Sequence, residues 1–337
     1  MKKQSRNILF YVIGLLIVAV IVVVALVTAQ PKTPAVELSA NQILQDGKPF
    51  RLISPNKQHP VVRTMAAGFW QACEDLKVDC VDNSFEGVDF TLMAPQIDIA
   101  ISQGTSGAIP FTDKAVLEQD MRLIDAGIPS IVIHGKVDPV EFPGYLGWVA
   151  ADAEDYAIRA AIAMGEKLEG KGVVAITQGN LNDVENLVAD TFTKTLNEKF
   201  PEIVVLEPQM EGFDQPAAIA VASSYLTSNP EITGAFGTTG ASPTTWAKAL
   251  EQKGYKAGDV IVIGMDYTRQ NLDLVKADWV YALVGQPLFE ELYRAVELLV
   301  DNLNGRSVNY DNIYPAPIIF KADLDKYYEI ADTVDGK

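Results

Sequence analysis

Apolar residues follow two different patterns along this chain. From Ile8 to Val27 they run almost unbroken for 20 residues. At about 1.5 Å of rise per residue, a helix of that length spans about 30 Å, one bilayer core. After residue 48 the apolar residues come in short clusters that alternate with longer stretches of helical period. Phe50-Arg51-Leu52-Ile53-Ser54 predicts a strand, and Pro60 to Leu76 a helix with Val61, Met65, Phe69 and Ala72 on one face. Further strands are predicted at 78–82, 107–111 and 130–133, with helices at 90–102 and 113–126. The rhythm then restarts. Strands at 172–177, 203–206, 234–236, 260–263 and 279–284 alternate with helices at 152–168, 183–199, 216–227, 243–253, 272–277 and 288–303.

Short apolar strands separated by helices imply parallel sheets buried on both faces. Two successive sets imply an α/β fold of two doubly wound parallel-sheet lobes. Ligands of such sheets bind outside the carboxyl ends of the strands, so the expected site is the cleft between the lobes.

Lys2, Lys3 and Arg6 precede the first apolar run, and this positive flank is expected to stay in the cytoplasm. Residues 1–30 are either a signal anchor or a cleaved signal peptide. The length of the run favours an anchor, while Val27-Thr28-Ala29 offers a small-residue cleavage site. No Cys follows the run, which removes a lipoprotein anchor. On either reading the folded part is exported: anchored to the outer face of the cytoplasmic membrane, or periplasmic or extracellular. Residues 31–47, with Pro31 and Pro34, form a linker.

The chain carries 44 acidic against 27 basic residues, a net charge of -17. Nucleic-acid binding needs a basic footprint, so this balance excludes it as a function class. The two cysteines, Cys73 late in a helix and Cys80 in the next strand, are open to two readings. An exported protein permits a disulfide between them; two small buried residues are the alternative. Their spacing gives no metal cluster. No nucleophile elbow, phosphate loop, dinucleotide fingerprint or His-x-x-x-His pair is present. The expectation is a binding protein, not an enzyme, with no cofactor and no metal, acting as a monomer.

Several strings in a fixed order carry a resemblance. They are Ser54 and His59-Pro60 after the first strand, Gly127-Ile128-Pro129, Ala151-Asp152, Phe213-Asp214, Gly264-Met265-Asp266, and Gln286-Pro287. In order and spacing the chain resembles the type I periplasmic binding proteins, above all the ribose-binding-protein-like sugar receptors, from about Arg51 to Tyr328. The resemblance implies lobe one at 48–150 plus 287–314 and lobe two at 151–286 plus 315–330, joined by three crossings. It also implies closure around a small polar ligand, most simply a sugar or polyol, and delivery to the permease of an ABC importer. A membrane-anchored receptor presenting its bound state to a sensor kinase or chemoreceptor is the alternative.

By the same resemblance Asp266 falls where sugar receptors hold hydroxyls, although Met265 replaces their aromatic. Gln286 matches a hinge-side Gln, and Phe213 a stacking ring. Each has an ordinary alternative: a loop acid, a hinge hydrogen bond and simple packing. Elsewhere the pattern departs. His59-Pro60 is followed by Val61 and Val62, so an aromatic clamp is missing there. His134-Gly135 replaces an Asp-Arg pair, Thr239 an Asn, and Glu185 with Asn186 an Arg. His59 and His134 are the only histidines in the chain, and both are predicted on cleft loops. A neutral imidazole donates and accepts, which suits hydroxyls. Asn56 joins the candidates on the first cleft loop. The full ligand-binding set is Asn56, His59, His134, Glu185, Phe213, Thr239, Asp266 and Gln286. Lys57 is expected to be solvated, Trp70 and Trp148 to be packing residues, and Trp246 to be only slightly better placed for stacking.

Overall fold

The computed structural model describes residues 48–334 apart from 88, 112–115 and 180–182. The apolar run at 8–27 and its anchor or signal readings lie outside the described residues. Among the described residues no helix is long and apolar enough to cross a membrane.

The first set of elements is β1 (Phe50–Ile53), α1 (Pro60–Leu76), β2 (Cys80–Asp82), α2 (Met93–Gln103), β3 (Gly107–Pro110), α3 (Leu117–Asp125), β4 (Ile131–Ile133) and β5 (Gly147–Ala151). The second set is α4 (Ala153–Lys167), β6 (Lys171–Gln178), α5 (Asp183–Lys199), β7 (Glu202–Val205), β8 (Gln209–Met210), α6 (Gln215–Ser228), β9 (Ile232–Gly237), α7 (Ser242–Gln252), β10 (Ile261–Met265), α8 (Arg269–Lys276) and β11 (Ala282–Val284). The chain ends with α9 (Leu288–Leu303), β12 (Asp311–Tyr314), β13 (Ile318–Phe320) and α10 (Leu324–Val334).

Parallel strands β2-β1-β3 and β12-β5-β4 form two ladders, stitched by the bridges Ala108–Ser130 and Phe111–Ile133. The second sheet runs β7-β6-β9-β10-β11-β13, with β13 antiparallel and the short β8 beside the end of β6. Both orders start at an edge, step to the first strand of the set and then move outward the other way. That reversal is the switch point at which doubly wound sheets bind ligands.

The period-2 alternation of the strands decides which helices cover which face. Val174, Ile176, Phe236 and Ile263 point to α4 and α5, where Met164 and Phe192 are fully buried. Phe192 stacks on Phe236 with ring centroids 4.2 Å apart. The intervening Ala175, Ala235 and Val262 face Tyr225, Trp246, Leu250 and Leu272 on α6, α7 and α8. In the first sheet Phe50, Leu52, Ile109 and Val149 meet Met65 and Phe69 of α1 and Leu292 and Val296 of α9. A Cβ on Gly68 would lie 2.0 Å from the Phe289 carbonyl oxygen, so this close crossing of α1 and α9 needs a glycine there. Cys73 and Cys80 form a disulfide with Cα atoms 6.3 Å apart, tying the end of α1 to the start of β2.

Several elements differ from the sequence-based expectation. The strand predicted at 279–284 begins only at Ala282. Asp278 takes a left-handed turn (φ 62°), and the Trp279 and Val280 amides bond back to the Leu274 carbonyl. Helix α8 starts earlier than predicted, at Arg269, because the Thr268 hydroxyl caps it by accepting from the Asn271 amide. Strands β5, β8, β12 and β13 were not foreseen. β12 is polar, and its Asn312 side chain donates to the Trp148 carbonyl at 3.1 Å. Trp70, expected to pack inside, is 46% exposed with its edge against Phe69, whereas Trp148 is buried.

Candidate functional site

The chain passes between the two sheets at three places: after β5, after β11 and after β12. Most of the sequence-predicted residues stand just beyond strand carboxyl ends. Asn56 and His59 follow β1, His134 follows β4, Thr239 follows β9, Asp266 follows β10 and Gln286 follows β11; Glu185 sits in the first turn of α5 and Phe213 leads into α6. All eight line one cavity of about 220 Å³ between the sheets. That volume is below the ~300–1,000 Å³ of pockets for drug-sized molecules and fits a compact ligand. Lys57 is not in its wall; it pairs with Asp82 at 3.0 Å. Trp246 is wholly buried beneath the site, where its indole N–H donates to the Thr177 hydroxyl at 2.9 Å, so it packs and does not stack on a ligand.

Local backbone shape explains how the strand ends aim these side chains. Among the described residues six non-glycines have positive φ: Asn56, Lys77, His134, Glu169, Asp266 and Asp278. Lys77, Glu169 and Asp278 follow helix ends, where a left-handed residue closes the last turn. The other three line the cavity. Their short polar side chains tolerate this region better than most. His134 is held there by its amide bond to the Val149 carbonyl, and Asp266 by its amide bond to the Val284 carbonyl, at 2.9 and 2.8 Å. His59 caps α1, and its Nδ1 accepts from the Val61 amide at 3.3 Å. That bond puts the proton of the neutral ring on Nε2. Burial also holds the His59 pKa below its usual value.

The site gathers buried acids. Asp266 is 1% exposed, and among the described residues its Oδ1 has no hydrogen-bond partner. Desolvation raises its pKa to about 7, with His134 opposing and Glu291 adding to the shift. Glu291, in the first turn of α9, is fully buried; its Oε1 accepts from the Ala151 amide at 3.2 Å, and Oε2 lies 3.5 Å from His134 Nδ1. Burial opposes charge on His134, but Glu291, Asp266 and Glu185 together outweigh it and leave the imidazole pKa above normal. Glu185 Oε2 accepts from the Gly179 amide and the Thr238 hydroxyl at 2.5 and 2.7 Å, tying the ends of β6 and β9 to α5. The Thr239 hydroxyl donates to buried Glu211, which also accepts from Ser242. Thr239 therefore shapes the wall through an internal network. Among the described residues no lysine or arginine lines the cavity, and no group of His, Cys, Asp and Glu is arranged to hold a metal ion.

Sequence reasoning missed Glu211, Glu291, Phe90, Phe111, Tyr156 and Thr238. Phe90 and Phe111 stand in the wall beside Val61 and Val62, so the first-sheet side has aromatic rings after all, from other loops. Phe111 lies 6.0 Å from His134, centroid to centroid. Phe111 ends a predicted strand and Phe90 begins a predicted helix, and that end position is the signal that was available. Glu291 was hidden because an acid in a first helical turn is ordinary dipole chemistry.

Residues 50–307 match the family model described as the periplasmic binding protein domain. This chain belongs to that family. As a periplasmic binding protein it works outside the cytoplasm, and its named relatives are binding proteins rather than enzymes. The xylitol-binding protein of Mycolicibacterium smegmatis is 24% identical over 242 residues, covering 70% of this chain and 67% of the relative. The D-apiose import binding protein of Paraburkholderia graminis is 24% identical over 205 residues, covering 60% and 64%. The match thus spans about two thirds of each relative's length. A periplasmic solute-binding protein of an ABC transporter from Actinobacillus succinogenes, solved with bound D-allose, superposes with a TM-score of 0.77 at 21% identity, covering 83% of this binding protein and all of that chain. At that identity the superposition carries the fold alone.

Proposed function

We propose that this protein captures a neutral sugar or polyol between two lobes and delivers it to an ABC importer, without chemical turnover. The lobes are 48–150 plus 287–314 and 151–286 plus 315–330, closing about the three crossings. The observation that carries the reading is a cavity combining carboxylates, an amide and aromatic rings, with no lysine or arginine in its described wall. Hydroxyl donors need buried acceptors, because an unpaired buried polar group costs about 1–3 kcal/mol. Asp266 and Gln286 offer acceptors, and Phe213, Phe90 and Phe111 offer flat apolar faces to a ring. The acidic wall disfavours sugar acids and phosphates. The relatives named for xylitol and D-apiose support the same ligand class. In this reading the N-terminal run holds the receptor at the outer face of the cytoplasmic membrane, and the protein acts as a monomer.

A thermal-shift screen of the full chain against monosaccharides, polyols, sugar acids and amino acids tests this. Ligand at one hundred times its Kd stabilises a fold by ~2.7 kcal/mol, a shift of a few degrees. A shift with neutral sugars or polyols is expected; shifts only with acids or amino acids would reject the class.

A further inference from the structure

Another cavity adjoins the ligand cavity. A second cavity of about 190 Å³ shares His134, Tyr156, Val184 and Gln286 with it. Ala153 and Leu187 line this outer compartment, and Leu187 is 39% exposed, so the compartment reaches solvent beside the first crossing. Lys136 stands at its edge, with Nζ 5.8 Å from the Trp148 ring centroid.

We propose that the site is bipartite and that its preferred ligand is a glycoside: one sugar ring in the inner cavity, and an O-linked second ring or aglycone in the outer one. This rests on the sugar reading above and extends it. Chemistry divides the two compartments. The inner wall holds the Asp266 carboxylate, which suits free hydroxyls because those donate, and the Glu185 carboxylate, already engaged by Gly179 and Thr238. The junction is built from His134, Tyr156 and Gln286, all groups with a proton to give. His134 turns Nδ1 to Glu291, which leaves Nε2 for a ligand. A glycosidic oxygen only accepts, so it belongs at that junction and would sit poorly between the carboxylates. The outer wall adds the small or apolar Ala153, Leu187 and Val184, which suit the face of a second ring.

Calorimetry on the full chain tests the proposal in a non-glycosidic detergent, since alkyl glycosides would compete. The probes are D-xylose, D-glucose, D-galactose and D-allose, each paired with its α- and β-methyl and 4-nitrophenyl glycosides, together with xylobiose, cellobiose and lactose. At least one glycoside or disaccharide should bind tenfold or more tighter than its parent sugar. Ala153→Trp or Leu187→Trp should fill the outer compartment, abolish that gain and leave the parent's affinity within twofold. Two substitutions on different helices guard against one that disturbs folding, which circular dichroism would reveal. Parent sugars that bind while no glycoside binds tighter would overturn the bipartite site and leave the sugar reading intact. A glycoside gain that survives both substitutions would overturn it too. Absence of binding by every sugar and glycoside would overturn this inference, while the thermal-shift screen, which includes polyols, decides the sugar-or-polyol reading separately.

Discussion

His134 Nδ1 and Glu291 Oε2 face one another at 3.5 Å in the buried wall of the cleft, and among the described residues neither atom has a hydrogen-bond partner. The two residues lie far apart in sequence, one after β4 and the other in the first turn of α9. At that separation the contact is electrostatic rather than a formed hydrogen bond, and it is an ion pair when His134 is protonated. Glu291→Gln removes the largest nearby negative charge, so the His134 pKa should fall below its wild-type value. NMR titration of the imidazole measures this; an unmoved pKa would mean that Asp266 and Glu185 hold the proton without Glu291.

Asp266 gives stability a pH dependence of definite sign. Its pKa rises from 3.8 when unfolded to about 7 when folded, so the folded state binds a proton that the unfolded state releases. That contribution is full below about pH 4 and is lost as pH rises through about 7. His134, also raised, loses its share above about pH 6.5, and Glu211 and Glu291 shift in the same direction. His59, whose pKa is lowered, works in the opposite sense, but the four raised groups outnumber it, so the urea midpoint of the wild type should fall between pH 5 and 8. Asp266→Asn, which keeps a residue tolerant of positive φ, should flatten that slope; an equal slope in the variant would assign the effect elsewhere.

Gln286 and Asp266 should matter to affinity more than to folding. Losing one buried hydrogen bond to a ligand costs about 1–3 kcal/mol, roughly five- to hundredfold in Kd. Gln286→Ala and Asp266→Asn should each weaken binding within that range while the melting temperature without ligand, at pH 5, moves little. Calorimetry at fixed pH checks both, and unchanged affinity would take the residue out of the ligand shell.

Gly240 marks where the two sides of the cleft meet. A Cβ there would lie 2.4 Å from Asp266 Oδ2 and 2.9 Å from the Val61 methyl across the cleft. Gly240→Ala should hold the sides apart and weaken ligand binding tenfold or more. Small-angle scattering should then show a smaller ligand-induced contraction than in the wild type.

The Cys73–Cys80 disulfide closes a loop with a sequence separation of seven. Chain-entropy arithmetic for so short a loop gives about 2.5 kcal/mol. The double Cys→Ser variant should lose about that much stability, and denatured oxidised protein should titrate no free thiols until reduced.

Alternation of apolar strands and amphipathic helices made most of both sheets legible, because covered parallel strands are largely apolar; central, buried β5 escaped because its Gly and Ala residues carry a weak strand signal. Polar β12 and the brief β13 were not legible, since edge strands have no such requirement. Six of the eight candidate residues converge because strand order sends the residues after β1, β4, β9, β10 and β11 toward one place, and Glu185 and Phe213 join them from the segments after β6 and β8. Glu291 and Glu211 escaped notice because their meaning comes from burial. A carboxylate at the start of a helix has the same sequence signature whether it faces water or an imidazole.

Asn56, His134 and Asp266 present ligand-facing side chains from left-handed backbone. At such positions Asn, Asp, His and Gly are tolerated, and bulky or branched residues are penalised. The alphabet open to mutation at three of the site's posts is therefore short. A lineage of this protein drifting toward a new ligand would have to rewrite Glu185, Phe213, Phe111 or Gln286, whose backbone sets no such limit, while these three positions trade among a few polar letters.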